Sequence, residues 1–410
     1  MTVRAPELAR VAVALALFLV AWSLLHVGFY EREQIVDTPV YERYGVAMRD
    51  GDVPYRDFEV EYPPGALPVF VVPALLGGEF RSAFEWLMAL CGGGVIVATA
   101  IAGRRLGLGL GTLAFVALAP LALGSVILTR FDLWPAMLAS FALAALVHDR
   151  LRLGHGLLGV AVAAKLYPGV LLPLALAYVW RRRGRREALV CGGVFAAVVV
   201  AAYLPFVAIA PGEVASSVGR QLSRPLQLES LGSAVLLAAH DLFGLDVEIR
   251  SSHGSQNLAG TLATLVGIAL SAAQVAVLLW LWVAFARSHR TPSAYELAVA
   301  AAAAVTAFVA LGKVLSPQFL VWLVPLVPLA RRLGATALLA VALVLTQLWF
   351  PYRYWDLAEL DPAVAWLVLA RDLVLVALLA VLAQGVSGAR HRTGAEPPRP
   401  QRQHPVATGE

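Results

Sequence analysis

Residues 104–152 read RRLGLGLGTLAFVALAPLALGSVILTRFDLWPAMLASFALAALVHDRLR, and this stretch decides the fold. From Leu106 to Val147 it carries no charge, except at Arg130-Phe131-Asp132 near the middle. Roughly 20 apolar residues cross a hydrocarbon layer of about 30 Å, so a run of about twice that length reads as two crossings joined by a charged turn. Outward from here the pattern repeats, with long apolar blocks separated by short arginine clusters. Hydrophobic residues make up 60% of the 410 and charged ones 14%, with a mean hydropathy of +0.75. A soluble surface needs more charge than this. Backbone groups in lipid must be satisfied internally, which leaves helices or a closed barrel. The two-residue alternation of barrel strands is absent, so the expected class is an all-α polytopic membrane protein.

The net charge of +5 carries no nucleic-acid signal, because most arginines fall where cytoplasmic loops belong. Arginine clusters placed inside give about twelve membrane helices with both termini cytoplasmic. Arg4 and Arg10 precede an uncleaved first span over about 11–29, since no small-x-small cleavage site follows it. A polar loop over 30–65 comes next on the outside. The apolar segment 65–78 carries Pro68 and Pro73 and is short for a crossing, which suits an interfacial or re-entrant helix. Arg152 and the Arg181–Arg186 cluster both belong inside, yet too few residues separate them for two full crossings. A shortened hairpin turning at Lys165-Leu166-Tyr167-Pro168 is therefore expected. The resulting organisation is a cytoplasmic 1–10, a first transmembrane module over 11–210, an external loop over 211–256, a C-terminal transmembrane module over 257–386 and a disordered basic tail over 387–410. Cys91 and Cys191 lie in apolar runs and imply no disulfide framework.

This path gathers the unusual polar groups on the external side, where ionisable groups at membrane depth mark a cavity or a ligand path. Lys165 and Lys313 are the only lysines among 32 basic residues, and both fall at external turns. Compact ammonium groups there suit a phosphate, or they snorkel to headgroups. In the first loop, Val36, Val40, Tyr44 and Ala47-Met48 recur at helical spacing and predict an amphipathic surface helix. Asp37 or Thr38 would cap it, with Pro39 in the first turn. Asp37 is thus either a helix cap or a general base just outside the first span. Asp57, Glu59 and Glu61 alternate with apolar residues along an extended stretch that ends at Tyr62-Pro63-Pro64. They share one side and would bind sugar hydroxyls or a cation, or simply form a solvated edge. Arg130 and Asp132 are either a local ion pair or a ligand-orienting group. Arg220 and Arg224 have i,i+4 spacing, as phosphate clamps or headgroup contacts. His253 gives a weak signal. Neither metal-ligand spacing nor a nucleotide loop is present, so no cofactor is expected and no divalent metal is required.

Taken in order, these motifs resemble the GT-C glycosyltransferases, and most closely glycosyltransferase family 87, over roughly residues 10–385. The resemblance rests on Asp37 with Tyr41, Pro54-Tyr55, Glu61-Tyr62-Pro63-Pro64, Arg130-Phe131-Asp132 with Pro135, Lys165-Leu166-Tyr167-Pro168 and Ser316-Pro317-Gln318-Phe319. It implies a polyprenyl-phosphate-linked sugar donor, such as polyprenyl-phosphate-mannose. Transfer would be to a lipid or glycan acceptor outside the cell membrane, by a single inverting displacement. GT-C enzymes carry an essential acid in the first external loop, and Asp37 is the matching position. The implied substrate-binding set is Tyr41, Asp57, Glu59, Glu61, Tyr62, Arg130, Asp132, Lys165, Tyr167, Arg220, Arg224, Lys313 and Gln318. The competing reading is a transporter or flippase of a lipid-linked sugar. Transporters show paired repeats with matching broken helices, and no convincing repeat appears here.

Overall fold

The computed structural model describes residues 5–31 and 35–387, so Arg4 and the tail expected from Arg390 lie outside the described residues. The described residues are 76% helical. α1 (Ala5–Leu24) leads to a 3-10 turn at Gly28–Glu31 and then to the expected surface helix, α2 (Thr38–Arg49). Its buried face is centred on Thr38, Tyr41 and Gly45, with Val40, Tyr44 and Met48 half-buried at the flanks. Gly45 is required there, because a β-carbon would strike the Phe70 carbonyl of α3 (Leu67–Leu76). At ten residues α3 spans only about 15 Å, in line with a segment too short to cross.

α4 (Phe80–Leu106) returns at full length. The deciding stretch then forms α5 (Leu110–Leu123), one turn of α6 (Val126–Thr129) and α7 (Leu133–Val147). The chain breaks at Arg130-Phe131 as expected, and the break is packed inside the protein. Arg130 is 7% exposed and Asp132 is 2% exposed. The shortened hairpin appears as α8 (Leu151–Ala164), a 3-10 turn at Tyr167–Leu171 and α9 (Leu172–Arg183), neither helix long enough to cross. α10 (Arg185–Ile209) is long, and only 6% of its most apolar window is buried, which leaves its sides for lipid.

The segment 211–256, expected as a second external loop, holds short elements of its own. It forms α11 (Pro211–Leu222), β1 (Leu226–Gln227), α12 (Leu231–Phe243) and β2 (Glu248–Ser252), with β3 (Ser255–Ala259) closing it. The strands form an antiparallel sheet in the order β1-β3-β2, so the chain is not purely α. Short polar strands carry too little hydrophobic pattern to stand out from a loop. His253 sits at positive φ in the turn between β2 and β3, which accounts for it structurally.

α13 (Thr261–Ala286) is again long and lipid-facing. α14 (Ala294–Ala310) starts at a Ser293–Glu296 capping box and is buried from Leu297 onward, apart from Phe308. Its run of alanines lets neighbouring helices approach closely. The apolar stretch after Lys313 forms no α-helix but two 3-10 turns, Pro317–Trp322 and Val327–Ala330, each with proline in its first turn. α15 (Leu333–Gln347), the short α16 (Tyr354–Ala358) and α17 (Pro362–Ser387) complete the described chain. α1, α4, α10, α13 and α17 are long and apolar enough to cross a membrane. Most of the other expected spans are apolar helices of 10–17 residues packed among them.

Candidate active site

Three interruptions in helices meet at one place: the head of α2, the break between α6 and α7, and the end of α8. Each delivers a charged residue. Asp37 occupies the capping position of α2, yet its carboxylate accepts no hydrogen bond from the helix backbone. It forms an ion pair with Arg130 instead and accepts a hydrogen bond from the Tyr41 hydroxyl at 3.3 Å. The capping role is therefore not realised. Arg130 stands in extended backbone after α6, and its Nη2 donates to the Ile35 carbonyl at 3.2 Å. Asp132 repeats the arrangement at the head of α7, where it also makes no capping bond. Its Oδ1 accepts from Lys165 Nζ at 2.7 Å and from Trp322 Nε1 at 2.7 Å. Lys165 is the extended residue that ends α8. Arg130 and Asp132 thus pair with distant partners, not with each other. Gly65 allows this meeting, since a β-carbon there would lie 2.6 Å from the Ala163 backbone at the end of α8. Trp134 Nε1 donates to the Gly65 carbonyl at 3.0 Å and pins the same junction.

Aromatic rings enclose these charges. Tyr167 lies flat on Trp322 with ring centres 3.9 Å apart, and Phe319 stacks on Trp322 at 4.2 Å. The Lys165 ammonium is 4.7 Å from the Phe131 ring centre and 5.2 Å from that of Trp322, within cation–π range. Phe131 also meets Tyr62 at 4.9 Å and Tyr41 at 5.7 Å. Burial pushes the Tyr41 and Tyr62 hydroxyls up from their ordinary range, so both remain neutral donors. The Tyr167 hydroxyl and Gln318 Oε1 are buried with no hydrogen-bond partner among the described residues. Unpaired buried polar atoms are costly, and a bound hydroxyl-rich ligand would satisfy them.

The remaining predicted residues sit beside this cluster and bind one another. Alternation holds along 57–61, with Val60 buried and Glu59 facing out. Arg224 Nη2 donates to Glu61 Oε1 at 2.8 Å and to the His253 carbonyl at 2.6 Å. Arg220 approaches Glu59 at 3.4 Å. The two basic residues therefore tie the acidic strip of the first loop to the segment over 211–259. α11 ends before Arg224, so they do not share one helix face. Asp57 serves its own turn: Arg56 and the Val53 N–H bond its carboxylate and hold it down at about 2. Lys313 Nζ donates to the Leu222 carbonyl at 3.0 Å and closes the end of α11.

Trp322 and Glu229 join the site without having been singled out by sequence, whereas Phe319 belongs to the quoted motif Ser316-Pro317-Gln318-Phe319. Trp322 lies in the apolar run that follows that motif. Glu229, 2% exposed, precedes the apolar α12 in Leu228-Glu229-Ser230 and looks like an ordinary helix-start acid. Its Oε2 accepts a hydrogen bond from the Gln227 amide, and Arg130 lies within its electrostatic reach. Burial raises its carboxyl to about 7, against the pull of Arg371. Among the described residues no group of three His, Cys, Asp or Glu gathers as a metal site.

Residues 61–293, more than half of the chain, match the model of glycosyltransferase family 87. The match takes in Glu61, Tyr62, Arg130, Asp132, Lys165, Tyr167, Arg220, Arg224 and Glu229, with Asp37 before it and Lys313 and Gln318 after it. Comparison with curated proteins finds no match. The apolar helices, the charged breaks they carry and the family match converge: the chain belongs to glycosyltransferase family 87 and is a membrane glycosyltransferase.

Proposed function

We propose that this transferase moves a hexose, with mannose as the sugar the resemblance implies, from a polyprenyl-phosphate donor to a lipid or glycan acceptor on the external face of the cell membrane. The observation that carries this reading is the Asp37–Arg130 pair set beside the Asp132–Lys165 pair under an aromatic shell. It supplies a carboxylate and two cations in one partly dry place, as an inverting displacement with a phosphate leaving group needs. Asp37 takes the proton of the acceptor hydroxyl as its oxygen attacks the anomeric carbon. The bond from that carbon to the phosphate oxygen breaks, and its electron pair leaves on polyprenyl phosphate. Asp132 occupies one of the three donors of Lys165, so the ammonium has hydrogen bonds left for the leaving phosphate. Arg130 orients Asp37 and adds positive charge. The Tyr167 hydroxyl and Gln318 Oε1 meet sugar hydroxyls, and the rings of Tyr167, Phe319 and Trp322 line the sugar or first isoprene unit. The pairs Glu61–Arg224 and Glu59–Arg220 hold the two external segments together over the site. No cofactor enters, since the lipid-linked sugar is itself the substrate.

Membranes carrying the protein, incubated with labelled polyprenyl-phosphate-mannose and extracted, are expected to yield a labelled lipid or glycan that Asp37→Asn abolishes. Passage of the donor across proteoliposomes without any covalent product would replace this reading with that of a flippase.

A further inference from the structure

At an arginine-rich end of the helices, away from the candidate site, a cavity of about 540 Å³ opens where α8 and α10 begin. Asp149, Arg150, Arg152, Arg183 and Glu187 line it, together with Leu153. Both of its carboxylates already have cations. Arg152 holds Glu187 through two hydrogen bonds, of 2.8 and 2.9 Å. Arg182, which does not line the cavity, donates to the two oxygens of Asp149 at 3.1 and 3.3 Å, and Arg105 stands 4.0 Å from the same group. Arg150 and Arg183 are left over. Neither guanidinium makes a hydrogen bond or an ion pair among the described residues. Several arginines nearby differ in this respect, because they close helix ends: Arg181 donates to the carbonyls of Ala286 and Ser288, and Arg331 to that of Leu106.

The surroundings of the cavity are those of a lipid boundary. α10 leads away from it with its sides left for lipid. Leu153 in the cavity wall is exposed, and so is Val190, one turn past Glu187 on the same face of α10. Trp180, one turn before Arg183 in α9, is exposed as well, and tryptophans of this kind gather where hydrocarbon gives way to headgroups. A lipid whose chains lie on α10 therefore brings its headgroup to the level of the two unpaired guanidiniums.

We infer that this cavity binds the phosphate headgroup of an anionic phospholipid, with Arg150 and Arg183 on the phosphate and the acyl chains along Leu153 and Val190. Guanidinium N–H groups match phosphate oxygens in pairs, and a basic pocket between membrane helices selects anionic headgroups. A soluble anion would meet the same cations but gain nothing from the apolar wall. The Arg152–Glu187 pair keeps a third guanidinium out of play. The inference stands on the chain lying in a membrane and not on the transferase reading.

The test titrates the full-length protein in neutral detergent with phosphatidylglycerol, phosphatidylcholine or inorganic phosphate, and reads binding by native mass spectrometry and by melting temperature. Phosphatidylglycerol is expected to bind roughly tenfold tighter than phosphatidylcholine or better. Arg150→Gln/Arg183→Gln removes that preference, whereas Arg185→Gln/Arg186→Gln, which lies outside the cavity wall, keeps it within about twofold. Glu187→Gln frees Arg152 and is expected to tighten phosphatidylglycerol binding about threefold, a gain that no misfolded variant would show. Equal losses in the two double-arginine variants overturn the inference, since this end then attracts anionic lipid only diffusely. So does a Glu187→Gln protein with unchanged or weaker binding. Protection by inorganic phosphate that matches phosphatidylglycerol overturns it as well and puts a soluble anion in the cavity. Because binding is read and not transfer, a failed transferase reading leaves this result untouched.

Discussion

Arg130, from the break between α6 and α7, holds the carboxylate of Asp37 at the head of α2, where a helix cap would ordinarily keep it. Two charges that each begin or end a helix have been turned away from their own backbone and onto each other. The same exchange recurs at Asp132, which leaves the head of α7 uncapped and turns to Lys165.

Asp37→Asn keeps the shape and one hydrogen-bond acceptor but removes the base. Transfer is expected to fall by about 10²–10⁴-fold while the protein still inserts and folds. Labelled-product formation alongside melting temperature in detergent checks this. Full activity in Asp37→Asn, with loss in Glu61→Gln, would move the base to the acidic strip.

Lys165→Met strips the buried Asp132 of its cation and leaves Trp322 as its hydrogen-bond donor. An uncompensated buried charge costs about 3–5 kcal/mol, so a marked fall in melting temperature is expected. The double variant Lys165→Met/Asp132→Asn should recover much of that stability without recovering transfer. Equal melting temperatures for the single and double variants would show that the pair is not coupled.

Glu61 and Arg224 bridge the loop after α1 to the segment that follows α11 at 2.8 Å. Arg224→Glu sets like charges together and is expected to destabilise that docking by about 1 kcal/mol and slow transfer, with the swap Glu61→Arg/Arg224→Glu restoring both. Glu59 is 76% exposed, and Glu59→Gln should stay within about twofold of the parent. Hydrogen exchange over residues 57–62 and 220–228 reads the docking directly.

Glu229 also ties stability to pH. Its carboxyl is raised from 4.5 to about 7 in the folded protein, so the fold binds a proton that the unfolded chain has released. That stabilisation is fully present below about pH 4.5 and is lost as pH rises through about 7, on the order of a few kcal/mol. The melting temperature should fall across this window in the parent and less steeply in Glu229→Gln. Identical slopes would place the titration elsewhere.

Most of the architecture is open to sequence reading because its causes are local. Block length and hydrophobicity set which segments cross, so α1, α4, α10, α13 and α17 lie where the arginine boundaries put them. Prolines and charges break the helices at Pro63-Pro64, Arg130-Phe131 and Lys165 as expected. The small sheet leaves no such mark, because two- to five-residue polar strands carry no periodic trace. α12 is an apolar run, but at 13 residues it is too short to read as a crossing.

The amino-acid sequence by itself determined that this chain is a helical membrane protein with charged breaks along its apolar runs, and its motifs placed it in its family. Which charges meet was decided only by the tertiary structure. Asp37 and Asp132 both stand where a carboxylate could cap its own helix, and nothing near them in sequence separates that outcome from a distant ion pair. Packing decides it, because once Gly45 and Gly65 let the segments close, each buried cation needs an anion and takes the nearest one. The same packing buries Glu229 and turns an ordinary acid before a helix into part of the site.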